Sequence, residues 1–209
     1  ISVEKMQSTQ AMRAIAEHSD KTYTLLYTKH TALKIGMFAL ERMVQVMEMT
    51  QAAMVYADHY QQIDGVQKTA PVIDYQPGSL RDDFNFGSVL LFNANAFKEV
   101  IENTEEEYQY AGLYDLRLKI SQKSKLVHIN EYLYTEVESD KRKSGEKQFD
   151  YVDPKNRQVQ IEMEQACTNH LKEIGGYLYP IFRPVDFSSH TFEYEASVII
   201  PVRNRIRTI

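Results

Sequence analysis

The chain has 209 residues, of which 24 are basic and 29 acidic, so its formal net charge is -5. This balance argues against broad, charge-driven binding of nucleic acid, and no apolar run approaches the roughly 20 residues of a membrane span. The apolar fraction of 43% is ordinary for a globular domain with its own core. Cys167 is the only cysteine, so an intrachain disulfide is impossible and a reducing, cytoplasmic location is expected.

The N-terminal part of the chain alternates between helical and strand patterns. Apolar spacing predicts a helix from Ser8 or Thr9 to about His18, followed by a strand over 23–27. A second helix is predicted over 34–49. The apolar run 52–56 predicts a second strand, which the polar segment 57–60 is expected to end.

A long polar stretch, 61–87, comes next, and Pro71, Pro77 and Gly78 mark it as a loop. Beyond it the patterns predict a strand, two helices and a further strand, over 89–92, 94–101, 113–122 and 126–134. His128 lies in the last of these strands and is interpreted as a core histidine with satisfied hydrogen bonds.

The C-terminal part contains the clearest helix pattern, which covers 156–174 and ends at the glycine pair 175–176. The stretch 180–191 is interpreted as a linker. The apolar run 196–200 predicts a short final strand, and Pro201 and a polar turn end it.

Alternating helices and strands favour an α/β domain with a mostly parallel sheet and flanking helices. Ligands of such sheets bind beyond the carboxyl ends of the strands. That rule directs attention to three short segments, which are 28–30, 58–60 and 203–205.

The order of these segments resembles the GT-A fold of family 2 glycosyltransferases. Residues 14–60 look like the family's helix-strand-helix-strand unit, and 84–88 is similar to its mid-domain strand near the acceptor. The segment Leu126-Val127-His128-Ile129-Asn130-Glu131 is similar to a late strand of the family. The final run, 196–205, resembles the family's opening strand, which is apolar and followed by Pro-x-x-Asn.

The resemblance implies a GT-A-like, Rossmann-like domain over residues 1–180 that is incomplete at its N-terminus. A linker over 181–195 would follow it. Residues 196–209 would then be the first strand and turn of a second glycosyltransferase domain. Alternatively, this last strand completes the sheet of the first domain.

The implied activity is transfer of a sugar from a nucleotide-diphosphate sugar to a glycan or lipid-linked acceptor, as in polysaccharide biosynthesis. A lipid-linked acceptor would bring the protein to a membrane surface, and no nucleic acid is expected as a partner. In the family a divalent cation, Mg²⁺ or Mn²⁺, offsets charge on the leaving diphosphate. Thr28-Lys29-His30 stands where the family has its Asp-x-Asp metal motif, and a lysine repels a cation, so no metal ligand is assigned.

An inverting transferase needs a carboxylate that takes the proton of the acceptor hydroxyl. Gly112 and Leu113 occupy the positions of the family's Glu-Asp pair, which leaves Asp115 as the nearby candidate. Asp58 stands where the family often has Tyr-Ser-Asp, and Asp83 belongs to a pair of carboxylates in the long loop. The alternative roles are structural: a helix cap for Asp115 and a solvated turn for Asp83.

The resemblance places the nucleotide near the terminal strand. Pro201, Arg203 and Asn204 would border the nucleotide site of the second domain, where Arg203 stacks on a base or pairs with a phosphate. Lys29 would neutralise phosphate as a point charge. The alternative is that Lys29 is a surface lysine and that the three terminal residues only turn the chain.

Two other functions stay open on the sequence alone. The replaced metal motif and base also fit a non-catalytic, glycosyltransferase-like domain that binds glycan or supports a neighbouring catalytic domain. A generic α/β nucleotide-binding protein outside this family is the third interpretation.

Overall fold

The structure, a computed structural model, describes residues 5–138, 157–184 and 198. The chain divides into two units, Ile1–Tyr177 and Leu178–Ile209. The described residues of the second unit belong to no helix or strand. The predicted linker and terminal strand therefore lie almost wholly outside the described residues, and the proposed domain boundaries stay predictions.

The first unit combines helices and strands, as predicted for an α/β domain. Its described helices are α1 (Thr9–His18), α2 (Ala39–Thr50), α3 (Ala94–Glu102), α4 (Gly112–Lys123) and α5 (Arg157–Glu173). Its described strands are β1 (Tyr23–Tyr27), β2 (Leu33–Ile35), β3 (Met54–Ile63), β4 (Val66–Ala70), β5 (Val89–Asn93) and β6 (Leu126–Glu138). Within the described residues, no helix is both long and apolar enough to cross a membrane.

The sheet is mixed, so the prediction of a mostly parallel sheet is wrong. Its strands lie in the order β1-β5-β3-β6-β2, and β4 pairs with β3 outside this path. In the described part of the chain, β3 and β6 form the one parallel pair, and the other strand pairs are antiparallel. The reason is that β4 and β5 both run antiparallel to β3. They interrupt the strand-helix-strand repeat that the sequence suggests.

A tight hairpin joins β3 to β4. Asp64 and Gly65 have φ angles of 50° and 81°, which are the positive values of a type I′ turn. Ile63 faces Val66 directly across the turn. β3 therefore runs through 57–60, where the sequence predicted its end, because the polar side chains there pair with groups on β6 and on the following loop.

Alternate side chains of the central strands separate the core into two layers. One face packs against α1, α3 and α4, and its buried strand residues are Met54, Tyr56, Leu90, Phe92 and Leu126. The other face packs against α2, and its buried strand residues are Val55, Ala57, Val89, Leu91, Ile129 and Tyr134. Helix α5 packs on α4 through a smaller cluster that contains Tyr108, Tyr114, Leu118 and Ala166.

Most predicted helix ends are confirmed, with one exception. The Ser8 hydroxyl caps α1 by accepting the backbone N–H of Ala11 at 3.1 Å, and Gly175, at φ 71°, follows the end of α5. Helix α2 begins at Ala39 rather than near residue 34. The segment before it is β2, which pairs with β6 and so cannot be helical.

Candidate functional site

A cleft of about 340 Å³ lies on the face of the sheet that packs against α4. The loop that leads into β5 forms one wall, and the first turns of α4 form another. Its polar lining residues are Gln7, Thr28, Asp82, Asp83, Asn85 and Arg117, and its aromatic ones are Phe84, Phe86, Phe92 and Tyr114. A cleft that combines aromatic rings with a few polar groups is the usual form of a small-molecule site.

The aromatic part of the cleft is a connected group of rings. The ring centroids of Phe84 and Phe86 lie 4.4 Å apart, and Tyr75 meets Phe84 edge-on at 5.8 Å. Tyr56, at the bottom of the same group, meets the Phe86 ring edge-on at 4.9 Å. Such contacts hold the rings in fixed orientations, so the cleft offers a preformed apolar surface.

Two carboxylates stand at the exposed rim of the cleft. Asp83 accepts two hydrogen bonds from the guanidinium of Arg81, at 2.8 and 2.7 Å, and this pairing lowers the pKa of Asp83. Asp82 accepts the backbone N–H of Asp83 at 3.0 Å. Asn85 accepts the backbone N–H of Gly87 at 2.9 Å, which fixes its side chain in the same loop.

Arg117 extends from α4 and holds this loop in place. Its side chain donates to the carbonyl oxygens of Ser79 and Arg81 at 2.9 and 2.8 Å. Arg117 is only 5% exposed, and burial lowers the pKa of its guanidinium. The neighbouring Tyr114 hydroxyl donates to the carbonyl of Leu80. Helix α4 thus fixes the loop that carries the two rim carboxylates.

Asp58 fixes the segment that precedes this loop. It is 2% exposed and accepts hydrogen bonds from the backbone N–H of Val72 at 2.8 Å and from Nε2 of His128 at 2.9 Å. The other ring nitrogen of His128 lies 2.7 Å from Asp74. Tyr56 donates to the carbonyl of Ile73 at 2.8 Å, so the segment is tied to the sheet through side chains.

Asp115 belongs to a separate ion-paired cluster. It is 3% exposed and lies 2.9 Å from Nζ of Lys119, one turn later on α4. Lys119 also contacts Glu106 at 2.8 Å. Burial raises the pKa of Asp115, and the bond to Lys119 opposes that shift. The Asp115 carboxylate therefore pairs with a lysine of its own helix, and this lysine joins α4 to the preceding loop through Glu106.

Lys29 lies beside a buried polar cluster formed by His59, Ser88, Tyr134 and Glu136. Its Nζ is 2.5 Å from Glu136, whose other oxygen lies 3.4 Å from Nε2 of His59. Burial lowers the pKa of His59, so the ring is favoured in its neutral form. In the part of the chain that the structure describes, Nδ1 of His59 and Oγ of Ser88 are buried atoms with no hydrogen-bond partner.

The four described candidates do not converge on one site. Asp83 lines the cleft, whereas Asp58, Asp115 and Lys29 each belong to a different buried pair. The sequence alone did not select Arg117, because an arginine inside a helical pattern is ordinarily a surface residue. Two phenylalanines lie two residues apart in Phe84-Asn85-Phe86, just before a glycine. This spacing was the feature of the sequence that could have predicted the aromatic wall of the cleft.

Pro201, Arg203 and Asn204 lie outside the described residues, so their assignment to a nucleotide site stays a prediction. Among the residues that the structure does describe, no group of three or more His, Cys, Asp or Glu side chains is arranged to hold a metal ion. No model of a known protein family matches the chain, and no curated protein matches it.

Proposed function

We propose that this chain is part of a glycosyltransferase that acts on a nucleotide-diphosphate sugar and a glycan or lipid-linked acceptor, and that the cleft receives the sugar. The observation that carries the proposal is the chemistry of the cleft. Phe84, Phe86 and Tyr114 supply flat apolar surfaces, and Asp82, Asp83 and Asn85 supply polar groups at the rim. The order of sequence segments that resembles the GT-A fold supports the same conclusion.

A sugar ring presents both kinds of surface to a protein. Its C–H groups form apolar faces that pack on aromatic rings, and its hydroxyls donate to carboxylate and amide oxygens. The cleft volume of about 340 Å³ lies at the small end of the range for ligand pockets, roughly 300–1,000 Å³. This size suits a single sugar with part of its neighbour or leaving group.

Asp83 is the candidate whose position fits a base. In an inverting transfer the acceptor hydroxyl attacks the anomeric carbon, the bond to the nucleoside diphosphate breaks, and a carboxylate takes the hydroxyl proton. Asp83 stands at the exposed rim of the cleft, where a carboxylate is ionised at neutral pH. Arg81 lowers the pKa of Asp83 and so weakens it as a base, which means that the acceptor must displace Arg81 before Asp83 takes the proton.

The segment 28–30 does not fit the divalent cation that the resemblance implies. The ammonium group of Lys29 is directed at Glu136, 2.5 Å away, so a positive charge already occupies the position of the family's metal ligands. A cation there would meet a like charge and would compete with Lys29 for the Glu136 carboxylate. We therefore assign no step of the transfer to a metal ion.

A second candidate function is a non-catalytic domain that binds glycan in the same cleft. The observation that favours it is the complete engagement of Asp58 and Asp115 in buried pairs with His128 and Lys119. A carboxylate held in this way is a structural group. On this alternative the sugar binds in the cleft but is not transferred by residues of this chain.

Ligand-dependent thermal stability separates these functions. UDP- and GDP-sugars and free oligosaccharides are added to the full chain, with and without Mn²⁺. A ligand at 100 times its dissociation constant stabilises by about 2.7 kcal/mol, which raises the melting temperature by about 5–10 °C. Stabilisation by a nucleotide-sugar and its turnover support the transferase, and stabilisation by glycan alone supports the second candidate.

The control uses two similar aspartates. Asp83→Asn removes a rim carboxylate that pairs with Arg81, and Asp20→Asn removes an exposed carboxylate that pairs with Lys21 away from the cleft. We expect the first substitution to weaken the response to ligand and the second to leave it unchanged. If no donor or glycan stabilises the chain, both functions are wrong for this chain.

A further inference from the structure

The outer parts of β3, β4 and β6 form a second surface, whose residues do not line the cleft. One face of this part of the sheet is buried, since His59, Tyr134 and Glu136 are at most 2% exposed. The opposite face is partly open to solvent. On it, Tyr60 is half-buried and Tyr132 is 38% exposed.

Tyr60 and Tyr132 pack against each other on this open face. Their ring centres lie 4.8 Å apart, and the planes of the two rings differ by 26°. Aromatic rings in such a stacked arrangement hold one another in a fixed orientation. Because Tyr132 keeps more than a third of its surface in the pair, the rings offer an apolar platform that a ligand can reach.

The strand pairing that brings the two tyrosines together is irregular. β3 and β6 pair in regular parallel register as far as Ala57 opposite Ile129, and the register then shifts on both sides of Asp58. Asp58 consequently lies opposite Tyr132, where regular pairing would place Asn130. Such irregularities re-aim side chains and are frequent beside active sites. Regular pairing would not place Tyr132 in this row, so the tyrosine pair depends on the shift.

Hydrogen-bonding side chains flank the two rings. Thr69 on β4 and Thr135 on β6 lie directly opposite Tyr60 in the register. Gln62 lies two residues beyond Tyr60 and accepts a hydrogen bond from Nζ of Lys34 at 2.8 Å. Hydroxyl groups both donate and accept hydrogen bonds, as the hydroxyls of a sugar do. Since Lys34 directs its ammonium group at Gln62, the surface offers hydroxyls rather than an ion pair.

We propose that this open face is a second glycan-binding site, which takes a neutral oligosaccharide. The tyrosine surface consists of Tyr60, Tyr132, Thr69 and Thr135. The C–H faces of the sugar rings pack on the tyrosines, and sugar hydroxyls bond to the threonine hydroxyls. A lipid surface would need a contiguous apolar patch, and a protein partner an apolar core, whereas here hydroxyls flank two rings.

The inference goes beyond the proposed function, because it assigns glycan binding to residues outside the cleft. The two sites can therefore fail independently. An oligosaccharide that binds to the tyrosine surface is held on the protein whether or not the cleft is occupied. The tyrosine surface would thus retain a glycan chain, while the proposed transfer takes place in the cleft.

The test titrates the full chain with hexasaccharides of glucose, of N-acetylglucosamine and of galacturonic acid. Backbone amide NMR identifies the residues that respond. We expect at least one neutral hexasaccharide to shift the amides of Tyr60, Thr69 and residues 132–135. Sodium chloride should leave this binding unchanged, because screening weakens ion pairs and none contributes here. Tighter binding of the acidic hexasaccharide than of both neutral ones would overturn the assignment of a neutral ligand.

Variants of the exposed tyrosine test its role directly. Tyr132→Ala should weaken binding of the neutral hexasaccharide about tenfold, whereas Tyr132→Phe keeps the ring and should retain most of the affinity. Tyr23→Ala is the matched control, since Tyr23 is a half-buried tyrosine on β1, at the opposite end of the strand order. Melting curves identify a variant that fails to fold, and the amide shifts of the unmodified chain then decide.

Three results would overturn the inference. The first is no response to any of the three hexasaccharides, and the second is a loss of binding in Tyr132→Ala no greater than that in Tyr23→Ala. The third is a set of shifts confined to the loop 82–87, which would leave the proposed function intact. A tyrosine surface that responds to glycan in a chain that binds no nucleotide-sugar would contradict the transferase alone.

Discussion

Replacing Gly87 with alanine tests how closely the cleft loop packs on the buried polar cluster of His59 and Tyr134. Gly87 has a φ angle of 73°, which costs an L-residue about 1–2 kcal/mol. A Cβ at this position would lie far inside van der Waals contact with the Tyr134 hydroxyl and 3.4 Å from Nδ1 of His59. Overpacking of this kind costs about 1–3 kcal/mol more, so Gly87→Ala should destabilise the fold by about 2–5 kcal/mol.

Two other glycines provide the matched control. Gly65 and Gly78 have φ angles of 81° and 90°, and a Cβ at either would meet nothing within 4 Å. Their alanine variants therefore report the backbone cost alone, about 1–2 kcal/mol. Urea denaturation gives the free energy of unfolding of each variant. If Gly87→Ala costs no more than Gly78→Ala, the described contact between this loop and Tyr134 is wrong.

Two further predictions concern buried polar groups. Asp58→Ala leaves the N–H of Val72 and Nε2 of His128 without their acceptor. We expect it to lower the free energy of unfolding, measured by urea denaturation, by about 3–5 kcal/mol. Asp83→Ala removes an exposed carboxylate and should cost less than about 1 kcal/mol. His59→Gln should flatten the pH dependence of stability between pH 7.5 and pH 5, measured as the free energy of unfolding at several pH values.

The sign of the pH effect follows from burial. The pKa of His59 is lower in the folded chain than its ordinary value, so the unfolded chain binds the proton first as the pH falls. The contribution of His59 to the free energy of unfolding is therefore fully present above the ordinary histidine pKa and is lost as the pH falls. The loss is at most about 1.4 kcal/mol per pH unit. The pKa of His170 is lowered by burial in the same way, so some slope should remain in the variant. If the pH dependence of stability is unchanged in His59→Gln, His59 is not the buried group responsible for it. If Asp58→Ala and Asp83→Ala cost the same, the buried hydrogen bonds of Asp58 are wrong.

Local patterns predicted most helices and strands well, because capping and apolar spacing act over a few residues. The strand-helix pair at β5 and α3 is an example, where Asn93 both ends the strand and caps the helix through its side chain. The sheet topology was not predicted, because strand order depends on contacts between distant segments. The Asp64-Gly65 hairpin signal lay within a stretch that its polar composition marked as a loop, so β4 was missed.

The candidate site was predicted only in part, for a related reason. A carboxylate in a sequence does not reveal whether it will be buried against a histidine, as Asp58 is, or exposed at a rim, as Asp83 is. That distinction depends on the neighbours that folding brings together. Arg117 was missed because its environment is formed by the loop 79–87, which is distant from α4 along the chain.

Backbone amide NMR of the full chain during titration with nucleotide-sugars and oligosaccharides locates the surface that binds sugar. Binding in the cleft should give the largest chemical-shift changes in the loop 82–87 and in the first turns of α4, around Leu113 to Arg117. Changes confined to α2, or to the hairpin of β3 and β4, would show that the sugar binds elsewhere and would contradict the assignment of the cleft.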